Sequence, residues 1–352
     1  MTNDDFTLLT RAKYFQQLAE AAAKTVRGDR IALTAMILDS RDPAIIRIMD
    51  ELSTAAKRGV DVYFSIDARN FLMHERTRLP GPLWFSTSLP HKMPKPFSTH
   101  RAMLQKLTNA GGHTAIINQP KRRFTLPHAG SSHVKAAIVN DLVYVGGSNL
   151  EKPYDIDIML QWRDDNTADW LYLYLKKFVE TEHARATFSG QDHRHTIDDK
   201  TDLLIDAGLP GRSIILDEAF KLIDSARKWL FFTCQYVPHG AVADHLLAAR
   251  KRGVKVTILF NHPSKHASYE SLLEGLAKLH ERIRLPTAYF RDELPKSAHF
   301  LHGKLIACDK GAMIGSHNYV TTGVRLGTAE QALLRRDEAF AQRLRDFLQK
   351  QL

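Results

Sequence analysis

Two segments of the chain repeat the same order of residues that can do chemistry. In each, a histidine is followed by lysine at +2, glycine at +13 and asparagine at +16. The residues are His133, Lys135, Gly146 and Asn149 in the first segment, and His302, Lys304, Gly315 and Asn318 in the second. Of the seventeen histidines in the chain, only these two have lysine two positions later. The repetition makes this pattern informative, because an isolated His-x-Lys is common on surface strands.

Apolar residues around both histidine–lysine pairs predict strands. On a strand, positions 0 and +2 face the same side, so each segment aims an imidazole and an ammonium group into one space. Two such sites support phosphoryl transfer: one neutral imidazole attacks phosphorus, and the other, as imidazolium, protonates the leaving oxygen. The lysines and asparagines would stabilise the developing negative charge. No metal ion or other cofactor is expected, because the lysines fill the electrostatic role of a cation.

At these residues the sequence resembles the phospholipase D superfamily, whose members carry two HKD motifs, and its cardiolipin synthase-like branch. The second segment has the full pattern His-x-Lys-x4-Asp followed by Gly-Ser-x-Asn, with Asp309 and Ser316. The first segment has the loop Gly-Gly-Ser-Asn, with Gly147 and Ser148. It departs from the motif at Asn140, which stands where the aspartate is expected. In the family that aspartate is supportive rather than reactive.

The resemblance implies a role for each residue of the site. His133 is expected to be the nucleophile and His302 the general acid. Family members also have a downstream acidic residue that orients the imidazole: Glu330 is one candidate, and Asp155, with Asp157 as its rival, is the other. The expected catalytic residues are His133, Lys135, Asn149, Asp155, His302, Lys304, Asp309, Asn318 and Glu330. The residues expected to bind substrate are Gly146, Gly147, Ser148, Gly315 and Ser316.

The resemblance implies a phospholipase D-type phosphodiesterase or phosphatidyltransferase that acts on phospholipids through a covalent phosphohistidine. Nuclease members use the same two-histidine chemistry on DNA or RNA, and they are often homodimers of single-motif chains. Two motifs in one chain therefore favour lipid as the substrate and an active site within one chain. A catalytically weak phosphate-binding homologue is the third interpretation, because Asn140 alters the first motif. The sequence leaves the oligomeric state open.

The elements that must position these residues alternate between strand-like and helix-like segments, which predicts an α/β fold. The same order of elements occurs twice, and the segments 58–62 (RGVDV) and 252–256 (RGVKV) occupy equivalent places. We therefore predict a phospholipase D-like fold, with two duplicated α/β lobes related by a pseudo-two-fold axis and mixed sheets flanked by helices. Residues 1–195 would form the N-terminal lobe and residues 196–352 the C-terminal lobe, joined by a polar linker at 190–200.

The charge, the cysteine content and the hydropathy of the chain predict which partners it binds and where it acts. The 352 residues carry 49 Lys+Arg against 39 Asp+Glu, a formal charge of +10, which favours an anionic partner such as a membrane surface or nucleic acid. Two cysteines and an acidic start predict a cytoplasmic setting without a signal peptide. No segment approaches the roughly 18 uncharged apolar residues of a spanning helix. An aromatic and basic loop at 80–97 is a candidate for peripheral contact with the inner membrane face. A basic run at 121–124 is a candidate for binding lipid phosphates or a nucleic-acid backbone.

Overall fold

A computed structural model describes residues 5–68, 95–118, 130–152, 154–183, 190–261 and 299–352 of the chain. The run at 121–124 and most of the loop at 80–97 lie outside these residues. The strands are β1 (Thr7–Leu9), β2 (Arg30–Ala35), β3 (Asp61–Asp67), β4 (His113–Ile117), β5 (Ala136–Val139), β6 (Leu142–Gly146), β7 (Met159–Arg163), β8 (His193–Asp198), β9 (Thr201–Asp206), β10 (Trp229–Thr233), β11 (Lys255–Leu259), β12 (Leu305–Cys308), β13 (Gly311–Gly315) and β14 (Glu330–Arg335).

Eight helices are described between these strands. They are α1 (Arg11–Ala23), α2 (Pro43–Lys57), α3 (Lys95–Asn109), α4 (Asp165–His183), α5 (Ile214–Ser225), α6 (Ala241–Lys251), α7 (Thr321–Leu326) and α8 (Glu338–Gln349). Within the ranges given above, none of the helices is long and apolar enough to cross a bilayer.

The strands form two mixed sheets of seven strands each. The first has the order β4-β3-β2-β5-β6-β7-β1, and the second has the order β11-β10-β12-β13-β14-β9-β8. Six neighbouring strands have the same arrangement in both sheets. The order β3-β2-β5-β6-β7-β1 in the first sheet corresponds to β11-β10-β12-β13-β14-β9 in the second. In both sheets the first of these pairs is parallel and the other four are antiparallel. The predicted fold class of two duplicated α/β lobes is confirmed.

The main hydrophobic core lies between the two sheets. Alternate side chains of β5 divide between layers: Ala136 and Ile138 join this central core, whereas Ala137 and Val139 face the outer helices α1 and α2. The hairpin strand β12 does the same, with Leu305 and Ala307 in the central core. Helices α4 and α8 also contribute to that core. Because one core joins both sheets, the two halves fix each other's position.

The predicted linker at 190–200 contains a strand instead. Strand β8 pairs antiparallel with β9 at the edge of the second sheet, so a division at 195/196 would cut through β8. Its polar sequence gives no apolar alternation, which is why it was predicted to be a linker. Ion pairing and hydrogen bonding hold it in place: Arg194 lies 2.7 Å from Asp202, and Thr196 donates to the same carboxylate at 2.9 Å. The second sheet therefore begins at His193.

The two motif hairpins end in turns that make equivalent contacts. Asn140 has a left-handed φ of 54° and accepts from Arg30 N–H through Oδ1 at 3.1 Å, at the start of β2. Asp309 accepts from the N–H groups of Arg227 and Lys228 at 2.9 and 3.1 Å, just before β10. The amide oxygen of Asn140 thus accepts a backbone hydrogen bond at the position where the Asp309 carboxylate does so in the second half.

Asp309, which the resemblance puts among the catalytic residues, lies at the turn of its hairpin rather than beside His302. It lies seven positions after His302 along a mostly extended chain, a distance of roughly 20 Å. The motif aspartate sits at the far end of the hairpin because its task is to anchor the neighbouring strand. This also explains why the first motif tolerates Asn140.

We expect Asn140→Asp to leave the free energy of unfolding almost unchanged. Aspartate also tolerates a left-handed backbone and keeps an acceptor for the Arg30 N–H. Asn140→Ala should destabilise the protein by about 1–3 kcal/mol, because it leaves a partly buried donor without its partner and strains the turn. Urea unfolding followed by circular dichroism measures both changes. Equal stability of the alanine variant and the wild type would contradict this account of the turn.

Candidate active site

Each histidine is fixed by a backbone contact with the opposite half of the chain. The N–H of His133, just before β5, donates to the carbonyl of Ala329 at 2.7 Å, just before β14. The N–H of His302, just before β12, donates to the carbonyl of Ile156 at 2.8 Å, shortly before β7. Short parallel bridges, Ser132 with Ala329 and Ile156 with Leu301, extend both contacts. Each motif is therefore held against the segment that carries the other half's acidic residue.

The acidic partners of the two histidines are exchanged between the halves. Nδ1 of His133 lies 2.9 Å from Oε1 of Glu330, and Nδ1 of His302 lies 2.7 Å from Oδ2 of Asp157. The imidazoles are 15% and 12% exposed, whereas the carboxylates are buried. A carboxylate on Nδ1 leaves Nε2 as the reactive nitrogen of each ring. Neither half contains a complete histidine–acid pair, so the site requires both.

The structure selects Asp157 over Asp155 as the acid in the first half. The N–H groups of His302 and Gly303 both donate to the carbonyl of Ile156, which brings the next side chain, Asp157, onto the imidazole. Asp155 instead accepts from Arg11 at 3.1 Å. The prediction of Asp155 is wrong because two candidates spaced by two residues share one face of an extended segment, and only the register against His302 distinguishes them.

Glycine at the start of the first loop makes room for this acid. A Cβ on Gly147 would collide with the Asp157 carboxylate, and a Cβ on Gly146 would collide with the backbone of Ile158. In the second half, a Cβ on Gly315 would collide with the backbone of Gln331. These glycines were predicted to bind substrate. Their evident role in the structure is to let the strand that carries the acid approach the motif hairpin.

The two motif lysines are buried next to the histidines. Nζ of Lys135 donates to the carbonyl of His133 at 2.8 Å, and Nζ of Lys304 donates to the carbonyl of His302. Burial lowers the pKa of Lys135 to about 7, and Lys304 contributes to this shift by charge repulsion. Burial likewise lowers the pKa of Lys304 to about 8. The halves thus bring two lysine amines close together, and an anion bound beside them would favour their charged form.

Electrostatics at the second histidine favour a neutral ring and an ionised acid. Burial, followed by the charge of Lys304, lowers the pKa of His302 well below its usual value. Burial alone would raise the pKa of Asp157, but its charge interaction and hydrogen bond with His302, followed by the charges of Arg11 and Lys304, hold this pKa far below the ordinary range. His302 therefore donates through Nδ1 to the Asp157 carboxylate, and its Nε2 carries a lone pair.

The two loop asparagines, Asn149 and Asn318, occupy equivalent positions in the two halves and have side-chain oxygens that could bind substrate. Asn149 and Asn318 are buried, and in the described part of the chain neither Oδ1 has a hydrogen-bond partner. The Ser148 hydroxyl is in the same condition. A carboxamide can present either its oxygen or its NH₂ group after a half-turn. These groups can therefore donate to the nonbridging oxygens of a phosphodiester.

Ser316, which the resemblance predicts to bind substrate, contacts one of the two acids of the site. Its hydroxyl donates to Oε2 of Glu330 and accepts from the N–H of Gln331 at 3.0 Å. These hydrogen bonds hold the acid that faces His133, and substrate binding by Ser316 stays a prediction. A substitution of Ser316 would therefore affect the reaction by changing the position of Glu330.

Gln331 is a residue of this site that the sequence analysis missed. Its side chain is buried and reaches from β14 into the first half, where it pairs with both backbone groups of Lys135. The Oε1 atom accepts from Lys135 N–H at 2.8 Å, and Nε2 donates to the carbonyls of Lys135 and Gly146 at 3.1 and 2.7 Å. One amide thus completes the hydrogen bonds of the first motif from the second half.

We expect Gln331→Leu to destabilise the protein and to lower its activity. The variant leaves buried backbone groups of Lys135 and Gly146 without partners, at a cost of about 1–3 kcal/mol for each group. Chemical denaturation gives the stability change. Gln342→Leu, on the exposed face of α8, is the matched control and should change stability by less than about 0.5 kcal/mol. Equal effects of the two substitutions would contradict the bridging role of Gln331.

Comparison with known proteins places this geometry in context. Residues 220–352, which include the second motif and Glu330, match a family model described as cardiolipin synthase, PLD-like domain. No curated protein matches the chain by sequence. The phosphatidylserine synthase of Haemophilus influenzae superposes over 100% of this chain and 86% of its own, with a TM-score of 0.70 and 16% identity.

A polyphosphate kinase from Porphyromonas gingivalis also has a similar structure. It covers 99% of this chain and 50% of its own length, with a TM-score of 0.61 and 12% identity. At these identities, both likenesses show the fold alone. The family match thus covers residues 220–352, and over the whole chain the likeness is one of fold.

Proposed function

We propose that the chain is a phospholipase D-type enzyme that acts on phospholipids as a phosphodiesterase or phosphatidyltransferase. The observation that carries this proposal is the pair of imidazoles, each set against an acid from the opposite half and next to a buried lysine. The family description of residues 220–352 and the fold shared with a phosphatidylserine synthase support a lipid substrate. The formal charge of +10 supports peripheral contact with an anionic membrane surface.

The first step forms a phosphohistidine. Nε2 of one neutral imidazole attacks phosphorus, and a P–N bond forms while the P–O bond to the leaving alcohol breaks. The other imidazole, as imidazolium, gives its proton to the leaving oxygen. The resemblance assigns attack to His133 and proton transfer to His302. Because His302 is neutral at rest, the negative charge of the bound phosphodiester would stabilise the imidazolium that it needs.

The second step transfers the phosphatidyl group. The imidazole that lost its proton takes one from water or from an alcohol, the oxygen attacks phosphorus, and the P–N bond breaks. Water as the acceptor gives phosphatidic acid, and the hydroxyl of a second phosphatidylglycerol gives cardiolipin. Lys135 and Lys304 supply the positive charge at the nonbridging oxygens, so the proposed reaction proceeds without a metal ion.

Phosphatidylglycerol vesicles test this proposal directly. Purified protein with excess EDTA should convert them to cardiolipin or phosphatidic acid, as detected by mass spectrometry. His133→Ala and His302→Ala should each lower the rate at least about 1,000-fold, because each removes a group that makes or breaks a bond. Labelled single- and double-stranded DNA, incubated in parallel, should stay intact.

The control variant is His245→Ala. His245 on α6 also has an aspartate on Nδ1, Asp224 at 2.8 Å, so this variant removes a similar pair away from the motifs. It should keep wild-type turnover, and circular dichroism should show all three variants folded. Cleaved DNA with untouched lipid would overturn the lipid assignment. Wild-type turnover in either motif variant would overturn the two-histidine mechanism, and activity that EDTA abolishes and one divalent ion restores would overturn the metal-free scheme.

A further inference from the structure

Arg11 is a fully buried arginine that contacts the acidic partner of His302. Nη2 donates to Oδ2 of Asp157 at 2.7 Å, and Nη1 donates to Oδ2 of Asp155 at 3.1 Å. Nη1 also donates to the carbonyls of Glu151 and Lys152 at 3.0 and 3.1 Å. One guanidinium thus ties together four acceptors on the segment that carries Asp157.

Strand β1 explains how a residue so near the start of the chain reaches this site. It pairs antiparallel with β7, with Leu9 opposite Met159. Two residues farther along, Arg11 therefore comes level with Asp157. Helix α1 begins at Arg11, with Thr10 as its N-cap, so the chain turns away from the sheet at this point. The sheet edge and the helix start together fix the guanidinium beside the carboxylate.

The second acid of the site is held in a different way. Glu330 accepts from the Ser316 hydroxyl, and in the described part of the chain it forms no salt bridge with an arginine or lysine. The repeated halves therefore differ in the support of their acids, with a buried cation behind Asp157 and a neutral hydroxyl behind Glu330. Motif residues alone do not reveal this difference.

We propose that Arg11 is a positioning residue of this site, which clamps the Asp157 carboxylate against His302 and makes the two histidines chemically unequal. The proposal deepens the function proposed above and rests on it for the chemical use of His302. A planar guanidinium suits the task because it donates in fixed directions to several oxygens at once. Its charge also keeps Asp157 ionised and opposes protonation of His302.

Several charged groups act on the Asp157–His302 pair together with Arg11. Lys304, two residues after the histidine, lowers the pKa of His302, and Asp157 acts in the opposite direction. The other groups near the pair are Lys135 from the first motif, Asp155 beside Arg11, and Glu330, whose charge acts on both lysines. Substitution of Arg11 removes none of these groups from the chain. Because Arg11→Lys keeps the positive charge and Arg11→Met does not, the two variants separate the charge of the guanidinium from its positioning of Asp157.

Histidine side-chain NMR over a pH series tests the role of Arg11 without relying on activity. In Arg11→Met, loss of the positive charge should raise the titration midpoint of the Asp157–His302 pair by about one pH unit or more. The midpoint of His133 should stay where it is. The proposal would be overturned by an unchanged His302, or by an equal shift at both histidines.

Arg11→Lys and Asp155→Asn keep the proposal testable if Arg11→Met does not fold. Lysine retains the charge but not the fork of donors, so the His302 midpoint should stay within about half a unit of wild type. Vesicle turnover should still fall roughly 10-fold or more, because the carboxylate is less well positioned. Asp155→Asn should change both readouts little, since the contact of Arg11 with Asp157 remains. Full turnover in Arg11→Lys, or a loss in Asp155→Asn as large as in Arg11→Lys, would refute positioning by Arg11.

Failure of the two proposals can be told apart. If His302→Ala keeps wild-type turnover on vesicles, the proposed function fails, whatever the NMR shows. If that variant is inactive but Arg11→Met leaves the His302 midpoint unchanged, the role of Arg11 fails and the proposed function stands. Arg58→Met is the matched control, because Arg58 also donates to backbone carbonyls, those of Thr25 and Ala22, and lies at the C-cap of α2, away from the motifs. It should leave both histidine midpoints unchanged.

Discussion

The exchange of acids between the halves is the constraint on which the rest of the structure depends. His133 faces Glu330 of the second half, and His302 faces Asp157 of the first. A buried carboxylate is costly unless it is paired, so each acid needs the opposite half for its own stability as well as for any chemistry. The duplication therefore yields one composite site, and neither half could hold a complete pair alone.

Features far from the histidines make sense as support for this exchange. The two sheets share one hydrophobic core, which sets their distance and angle. Glycine at 146, 147 and 315 lets the strands that carry the acids approach the hairpins. Gln331 joins β14 to the first motif, whereas Asn140 and Asp309 anchor the far ends of the hairpins. The two buried lysines lie next to the motif histidines, where their positive charge would favour an anion.

Local sequence patterns predicted the fold class, the duplication and the two hairpins, because each hairpin is short and its side chains alternate. Contacts between distant segments were harder to foresee. Asp155 and Asp157 share a face, so choosing between them requires the register against His302. Arg11 lies 146 residues from Asp157, and no local pattern links the two. Strand β8 was missed because ion pairs rather than apolar side chains hold it at the sheet edge.

The exchanged pairing can be measured directly by NMR of the histidine side chains in two acid variants. In Asp157→Asn, the titration midpoint and the ring ¹⁵N shifts of His302 should change, whereas those of His133 should not. In Glu330→Gln, the changes should appear at His133 and leave His302 unaffected. This pattern would show that each half supplies the acid for the other half's histidine. The reverse pattern, with each acid acting on the histidine of its own half, would contradict the central claim.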